Sequence, residues 1–383
     1  MTPAPAHGLV VGKFYPPHVG HLHLIKMAAE RCAHVTVLVM AARRETISLT
    51  DRIGWLKAAC ATIPGVAVIG VPCDVPVDFG DPLIWAAQVA VIRAALEVNG
   101  RPPVQAVLSS EQYGDELASW LDAAHVCVDA GRAAVPASAT AIRADLAGCW
   151  DDLIEPARAG LAARIVVVGA ESTGTTTIAR RLARYYRTRG GAFAHTQCVA
   201  EAGRDYTITK WRQAATTAAT AGLPSPPLDA LIWTTADFDA VAAEQTAREN
   251  QAAAGRSPLV VCDTDAFATS VWERRYLGAS ARPPQPWATT GLPRHDVYLL
   301  TSHAGVPWHD DGLREGDLAV RAAMTGWFVT ALTAAGHSWV LLTGSIEERL
   351  ALAVRVTGGV LEQRARFGPA ITDAVPSIGS VTG

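Results

Sequence analysis

Residues 8–21 of the chain have the sequence Gly8-Leu-Val-Val-Gly12-Lys-Phe-Tyr-Pro-Pro-His18-Val-Gly-His21. The apolar run predicts a buried strand, the adjacent prolines predict a stiff turn, and we expect a helix to begin near Gly20. A helix N-terminus offers an anion unpaired N–H groups and the positive end of the helix dipole. His18 and His21 therefore predict a binding site for a triphosphate that needs no glycine-rich phosphate loop. The alternative is that the two imidazoles only cap and fill the turn.

Short apolar runs followed by longer Ala/Leu-rich helical windows recur along the chain. Continuous apolar runs that alternate with helices are typical of parallel sheets covered on both faces. The predicted strands are residues 8–12, 35–40, 66–71, 104–109, 164–169, 259–262, 297–300 and 339–342. We therefore expect an α/β protein with two doubly wound parallel-sheet domains. Residues 151–163 contain Pro156 and precede a new strand, so we expect the domains to span 1–160 and 161–383.

The composition excludes several classes of protein. With 383 residues, of which 50% are hydrophobic and 18% charged, the chain has enough apolar material for two globular domains. Its 33 Lys and Arg residues against 36 Asp and Glu residues create no basic field, so we expect neither a nucleic-acid nor a membrane partner. The seven cysteines form no CxxC pair, which suits reduced thiols, and neither a secretory signal nor a long apolar span is evident. These features predict a soluble, cytoplasmic protein.

A second segment, Ser138-Ala-Thr140-Ala-Ile-Arg143, extends the first motif. Together the two segments resemble the signature of the nucleotidyltransferase superfamily of HxGH adenylyltransferases, which transfer AMP from ATP to a phosphate or similar acceptor. The resemblance implies that His18, His21 and Arg143, helped by Lys13, stabilise the charge on the α-phosphate and on the leaving pyrophosphate. The residues expected to bind ATP beside them are Gly12, Phe14, Ser138 and Thr140.

Two further positions are candidates for binding the acceptor. Glu111 follows a predicted strand and so lies at its carboxyl end, the edge of a parallel sheet where ligands bind. The alternative for this segment is an ordinary polar loop. Trp85 can stack on a flat acceptor ring, or it can belong to the hydrophobic core of an amphipathic helix.

A second phosphate site is predicted where Gly169-Ala-Glu-Ser-Thr-Gly174-Thr-Thr-Thr177 joins a strand to a helix. The spacing is that of the P-loop pattern Gly-x-x-x-x-Gly-Lys-Ser/Thr, with Thr175 in the lysine position. The N–H groups of the loop can still surround a phosphate, and Thr176 keeps the hydroxyl that holds Mg²⁺. The alternative is a tight turn without a ligand. The expected phosphate-binding residues are Gly169, Ser172, Gly174, Thr175, Thr176 and Thr177.

Charged residues elsewhere in the second domain complete the expected site. Asp263 follows the apolar strand 259–262 and is expected to reach Mg²⁺ together with Thr176. Glu201 and Arg204 are expected on the substrate side. Arg314, in Trp308-His-Asp-Asp-Gly-Leu-Arg314, is expected either in a lid that closes over the phosphates or in a solvated charged loop.

The whole pattern, over about residues 8–355, resembles the bifunctional nicotinamide mononucleotide (NMN) adenylyltransferase and ribosylnicotinamide kinase family. The resemblance implies that the first domain converts NMN and ATP to NAD and pyrophosphate. It implies that the second domain phosphorylates nicotinamide riboside to NMN, with Mg²⁺ and with ATP as co-substrate. Some relatives carry an N-terminal helix-turn-helix repressor domain, and because the first strand begins at residue 8 we expect none here and no transcriptional role. Whether the chain forms a homo-oligomer is left open.

The chain departs from the family pattern at Thr175, where lysine is normal, and at Gln88, where an aromatic residue is expected three positions after Trp85. Loss of the lysine charge should cost several kcal/mol of transition-state stabilisation, unless Arg180 or Arg314 substitutes. The second domain can therefore be an active kinase, or a sensor that binds a nucleotide without turnover. A further alternative keeps the fold but uses another acceptor, such as a flavin or pantetheine phosphate.

Overall fold

The computed structural model describes residues 5–111, 113–129, 133–282, 293–306 and 318–370. These described residues divide into two compact units: those up to Gly160 together with residues 365–370, and those from Leu161 to Arg364. This division differs from the expected second domain of residues 161–383. The segment after Arg364 returns to the first unit because its backbone is bonded there. The Tyr15 hydroxyl donates to the Gly368 carbonyl at 2.9 Å, and the Arg44 guanidinium donates to the Ala370 carbonyl at 2.6 Å.

A five-stranded parallel sheet of order β3-β2-β1-β4-β5 forms the centre of the first unit. Its strands are β1 (His7–Gly12), β2 (His34–Ala41), β3 (Val66–Pro72), β4 (Ala106–Ser109) and β5 (Ala124–Cys127). The central strand β1 pairs with β2 from His7↔His34 to Gly12↔Val39, and with β4 at Gly8↔Ala106. The strand order reverses between β1 and β4, and ligands of open α/β sheets bind at the carboxyl ends of the strands at such a point.

Helices cover this sheet and begin at residues suited to capping. They are α1 (Val19–Arg31), α2 (Leu49–Cys60), α3 (Pro82–Val98), α4 (Tyr113–Trp120), α5 (Ala139–Ala144) and α6 (Glu155–Leu161). Side-chain oxygens of Ser48, Asp81 and Ser138 accept from backbone N–H groups in the first turns of α2, α3 and α5. Such caps satisfy donors that have no partner within the helix.

The second unit contains another five-stranded parallel sheet, of order β10-β9-β6-β8-β7. The strands are β6 (Ala163–Gly169), β7 (Gln197–Val199), β8 (Leu259–Asp263), β9 (Val297–Thr301) and β10 (Trp339–Leu342). The helices are α7 (Thr175–Arg187), α8 (Ala202–Thr220), α9 (Thr235–Ala253), α10 (Ala266–Leu277), α11 (Leu318–Ala334) and α12 (Ile346–Arg364). Ile178 and Leu182 of α7 pack on Ile165 of β6 in the hydrophobic core. This packing fixes the strand, loop and helix that form the second phosphate site.

The expected fold class is confirmed, because both units are parallel sheets covered by helices. Seven of the eight predicted apolar runs lie within a strand of the structure, and the eighth, residues 104–109, begins two residues before β4. The edge strands β5 and β7 were not predicted. Within the described ranges, no helix combines the length and the apolar character needed to cross a bilayer.

Candidate active sites

A cavity of about 510 Å³ lies at the carboxyl end of β1 in the first unit. The last residues of β1, the residues after β4, and the starts of α1 and α5 line it. The structure brings together here every candidate site residue of the first domain. They are Gly12, Lys13, Phe14, His18, His21, Trp85, Glu111, Ser138, Thr140 and Arg143.

The two histidines form a reciprocal cap at the start of α1. The His21 N–H donates to His18 Nδ1 at 3.4 Å, and the His18 N–H donates to His21 Nδ1 at 3.2 Å. The rings stack with centroids 3.6 Å apart. Because Nδ1 of each ring accepts a hydrogen bond, the neutral imidazoles carry their proton on Nε2. Capping thus fixes the tautomer in which each Nε2 can donate to a phosphate oxygen.

Two glycines of the motif leave room for the rings. A Cβ at Gly20 would lie 3.1 Å from the His18 imidazole, and a Cβ at Gly12 would lie 3.2 Å from the Phe14 ring. Phe14 itself has φ of 48°, a left-handed conformation that is strained for a residue other than glycine. Its ring contacts His21 with centroids 4.7 Å apart. The turn after β1 therefore holds the histidines in one arrangement.

Arg143 is anchored beside this turn by neutral groups. Its Nη1 donates to the Tyr15 carbonyl at 2.9 Å, and its Nη2 donates to Thr140 Oγ1 at 3.4 Å. The guanidinium carbon lies 5.3 Å from the centroid of the Tyr15 ring. Ser138 caps α5 by accepting from the Ala141 N–H at 3.5 Å. The described contacts thus orient a planar cation at the rim of the cavity.

A buried ion pair, which was not among the predicted site residues, holds the backbone of Lys13 in place. Glu45 and Arg52 lie 2.7 Å apart with fully buried side chains, and Arg52 Nη1 also donates to the Lys13 carbonyl at 3.0 Å. Burial lowers the pKa of Lys13, and the Glu45 carboxylate, 4.0 Å from Nζ, opposes that shift. Glu45 lies in the segment before α2 and Arg52 lies on α2, positions where charged residues are usually solvated, so no sequence signal pointed to this pair.

The aromatic side of the cavity bears on the two alternatives for Trp85, stacking on the acceptor and packing in the core. Trp85 is 8% exposed, packs in the core and donates from Nε1 to the Phe79 carbonyl at 3.2 Å, while still lining the cavity. Phe79 is 61% exposed and stacks parallel to Tyr113 with centroids 5.9 Å apart. Gln88 is held by the Val75 and Pro76 carbonyls. Phe79, which was not selected, therefore presents more accessible ring surface than Trp85.

The second unit has a cavity of about 200 Å³ around the loop between β6 and α7. The candidate residues that line it are Gly169, Ser172, Gly174, Thr175, Thr176, Thr177, Glu201, Arg204 and Asp263. Arg314 and the rest of the expected lid, residues 308–314, lie outside the described residues. The structure therefore describes the loop and the substrate-side residues of this site, and the expected lid is outside that description.

The loop has the backbone form of a phosphate-binding turn. Gly174 has φ of 89° and Ser172 has φ of 57°, so both lie in the left-handed region. Thr173 is fully buried, and its hydroxyl donates to the Ala170 carbonyl at 2.6 Å. A Cβ at Gly169 would lie only 2.7 Å from the Thr173 hydroxyl oxygen. The glycine and the threonine thus fix the curvature of the loop.

The cavity contains oxygen donors suited to Mg²⁺. Thr176 is the second residue of α7, and Asp263 ends β8 in register with Val167, two residues before the loop. Mg²⁺ in nucleotide sites takes one or two protein ligands together with phosphate oxygens and waters. Within the described ranges, no cluster of three or more His, Cys, Asp or Glu side chains could hold a metal ion. This donor set fits an ion carried by a nucleotide.

An aromatic wall that the sequence analysis missed faces the loop. Trp233, Phe238 and Tyr276 line the cavity, and the Trp233 ring lies 5.2 Å from that of Tyr276. Asp237, the neighbour of Phe238 in the chain, is buried. Burial alone would raise its pKa, but hydrogen bonds, of which that from Lys210 has the largest effect, lower the pKa to about 2. The Thr234–Asp237 capping box at the start of α9 was a readable signal for this corner.

Comparison with known proteins agrees with this architecture. The family model described as cytidylyltransferase-like matches residues 9–88, and the AAA domain model matches residues 164–349. The trifunctional NAD biosynthesis/regulator proteins NadR of Salmonella typhimurium and Escherichia coli are each 22% identical over 319 residues, covering 80% of this chain and 71% of the relative.

Two solved structures share the fold. A NadR protein in complex with NAD and AMP-PNP has a TM-score of 0.61 at 19% identity, covering 94% of this chain and 97% of that one. A NadR protein in complex with NR has a TM-score of 0.59 at 18% identity, with the same coverage. The resemblance inferred from the motifs is confirmed: this chain is a homologue of the NadR proteins over 80% of its length, with a cytidylyltransferase-like domain followed by an AAA, P-loop-like kinase-type domain.

Proposed function

We propose that the first domain transfers AMP from ATP to NMN, which yields NAD and pyrophosphate. One observation carries this proposal: the stacked imidazoles of His18 and His21 and the guanidinium of Arg143 line a single cavity. Homology to NAD biosynthesis proteins, and a neighbour of the same fold in complex with NAD and AMP-PNP, support the choice of substrates.

The chemistry needs no covalent intermediate with the protein. A phosphate oxygen of NMN forms the new bond to the α-phosphorus of ATP while the bond to the pyrophosphate oxygen breaks, and the electron pair leaves with pyrophosphate. The Nε2–H groups of His18 and His21 donate to oxygens on which charge accumulates, and Arg143 neutralises the leaving group. Lys13 adds a fourth positive or donating group. Removal of one such donor lowers the rate on the order of 10²-fold to 10³-fold.

For the second domain we propose phosphorylation of nicotinamide riboside by ATP. The P-loop N–H groups bind the phosphates; Thr176 and Asp263 would hold Mg²⁺, which would supply positive charge to neutralise the phosphates. The aromatic wall of Trp233, Phe238 and Tyr276 offers a stacking surface for a flat ring. Glu201 and Arg204, which also line the cavity, supply polar groups for the ribose.

The acceptor of the first domain is tested by a panel of phosphates. The purified full-length protein is incubated with ATP, Mg²⁺ and either NMN, its deamidated acid form, FMN or phosphopantetheine, and pyrophosphate is measured. We expect release with NMN and formation of NAD in equal amount. Release with a flavin or pantetheine phosphate but not with NMN would establish the same chemistry on another acceptor.

A second candidate function for the second domain is nucleotide sensing without turnover. Thr175 in the lysine position favours it, because the side chain that normally cradles the β- and γ-phosphates is neutral here. The two candidates differ in turnover: a sensor binds ATP or NAD but forms no NMN from the riboside.

A further inference from the structure

Two buried arginines contact the carbonyl side of the loop that lacks its lysine. Arg321 on α11 and Arg349 on α12 are both 0% exposed. Arg321 donates to the carbonyls of Glu171 and Ser172, each at 3.1 Å. Arg349 donates to the Thr173 carbonyl at 3.1 Å. Its other bonds also go to backbone carbonyls, those of Ser302, Ala304 and Gly344.

Neither guanidinium has a carboxylate partner among the described residues, and Nη1 of Arg321 is buried there without any hydrogen-bond acceptor. Burial lowers the pKa of both side chains. Arg52, which is equally buried, pairs instead with Glu45 at 2.7 Å. A buried cation without a counter-charge is unfavourable. Since no described carboxylate pairs with either guanidinium, two positive charges lie against the carbonyls of one loop, and this charge favours an anion bound at the loop.

Peptide geometry transmits these contacts to the other face of the loop. In a trans peptide, C=O and N–H point in opposite directions. The carbonyls of residues 171–173 accept from the arginines, so the N–H groups of Ser172, Thr173 and Gly174 are directed away from them. No described residue accepts a hydrogen bond from these three N–H groups. Successive N–H groups with one orientation form an anion-binding concavity.

We propose that Arg321 and Arg349 are positioning residues for the phosphates of ATP. The two arginines compensate for the neutral Thr175, because they orient the loop peptides and add two positive charges on the carbonyl side of those peptides. The inference rests on the proposed kinase function of this domain. It extends the sequence analysis, in which only Arg180 and Arg314 were considered as substitutes for the lysine.

The test compares full-length wild type with Arg321→Gln and Arg321→Lys. The control is Arg181→Gln, because Arg181 lies on α7, is half exposed and pairs with Glu347 at 3.2 Å, away from the loop carbonyls. The steady-state KM values for ATP and for nicotinamide riboside are measured from the sum of NMN and NAD formed. Far-UV circular dichroism and thermal unfolding verify the fold of each variant.

We expect Arg321→Gln to raise the KM for ATP about tenfold, since hydrogen bonds that involve a charged group contribute on that scale. The KM for the riboside should stay within twofold, and the Arg181→Gln control should match wild type. Equal changes in both KM values, or a KM for ATP within twofold of wild type, would overturn the proposal. If Arg321→Gln does not fold, Arg321→Lys decides: a threefold rise supports the inference and no change overturns it.

If wild type forms no NMN, the kinase proposal fails and the inference is tested by binding. Hydrogen exchange of residues 169–187 reports this site alone, with ADP and adenosine as probes. With ADP at its wild-type Kd, we expect clear protection of these residues in wild type and in Arg181→Gln and weaker protection in the Arg321 variants, whereas adenosine should protect all of them equally. Equal protection by ADP in every variant would overturn the inference.

Discussion

Replacement of His18 by Asn and by Ala separates the two roles of one side chain. His18 caps α1 through its Nδ1 and stacks on His21, and it also lines the cavity. Asn is among the best N-cap residues and Ala among the poorest. Both variants lose the imidazole Nε2–H, but His18→Asn keeps an acceptor for the His21 N–H.

The structure sets the size of each loss. The capping bond is long at 3.4 Å, so its removal should cost about 0.5–1 kcal/mol, the lower part of the range for caps. Loss of the ring stacking adds about 0.5–1 kcal/mol in both variants. We therefore expect His18→Ala to lower the free energy of unfolding by about 1–2 kcal/mol and His18→Asn by about half of that. Loss of a transition-state donor should lower kcat on the order of 10²-fold or more in both.

The assay measures NAD formation from NMN and ATP, beside thermal unfolding of the same samples. His34→Asn is the matched control, because His34 is exposed at the start of β2 and should leave kcat unchanged. Catalysis and stability should diverge in His18→Asn: nearly normal unfolding with a large loss of kcat. A kcat within threefold of wild type in that variant would refute the catalytic role and leave His18 as a cap alone.

Four further predictions follow from the same contacts. Arg143→Lys should lower kcat for NAD formation at least tenfold while NMN production from the riboside is unchanged, because the planar guanidinium is replaced by the point charge of an ammonium group. Equal losses in both activities would indicate unfolding. A chain that ends at Arg364 should lose NAD formation, whereas one that ends at Ala370 should keep it, since residues 365–370 bond to Tyr15 and Arg44; equal activity of the two chains would contradict this. Asp237→Asn should reduce the free energy of unfolding of the second unit by about 2 kcal/mol at pH 7. The pKa of Asp237 lies below the ordinary 3.8, so its stabilisation is complete above that value and is lost as pH falls through about 2, and urea unfolding of both proteins against pH should show this convergence. Thr175→Lys should leave NMN production equal or faster, and a large loss in a riboside kinase assay would show that the loop is adapted to a neutral residue.

Local pattern predicted the sheets and the candidate loops because parallel strands bring their carboxyl ends to one edge. Residues as distant as His18 and Arg143 therefore line one cavity. The strands β5 and β7 were missed for a local reason. They are short edge strands, Ala124–Cys127 and Gln197–Val199, whose partly exposed polar residues give no continuous apolar run.

Other features depend on contacts that no local pattern encodes. Arg321 and Arg349 belong to helices far along the chain from the loop whose carbonyls they bind, and an isolated arginine on a helix is ordinarily solvated. Phe79 and Trp233 are single aromatics, and only the tertiary fold gives them stacking partners beside a cavity. The site residues that belong to local motifs were therefore predictable from the sequence. The residues that contact those motifs from other helices and loops were not.

The central claim is that one chain converts nicotinamide riboside to NMN and then to NAD. The most direct measurement is a time course of products by mass after nicotinamide riboside, ATP and Mg²⁺ are added to the purified full-length protein. We expect NMN to form first and NAD to follow, with pyrophosphate accumulating in step with NAD. Absence of NMN when the riboside is supplied, or absence of NAD when NMN is supplied, would contradict it.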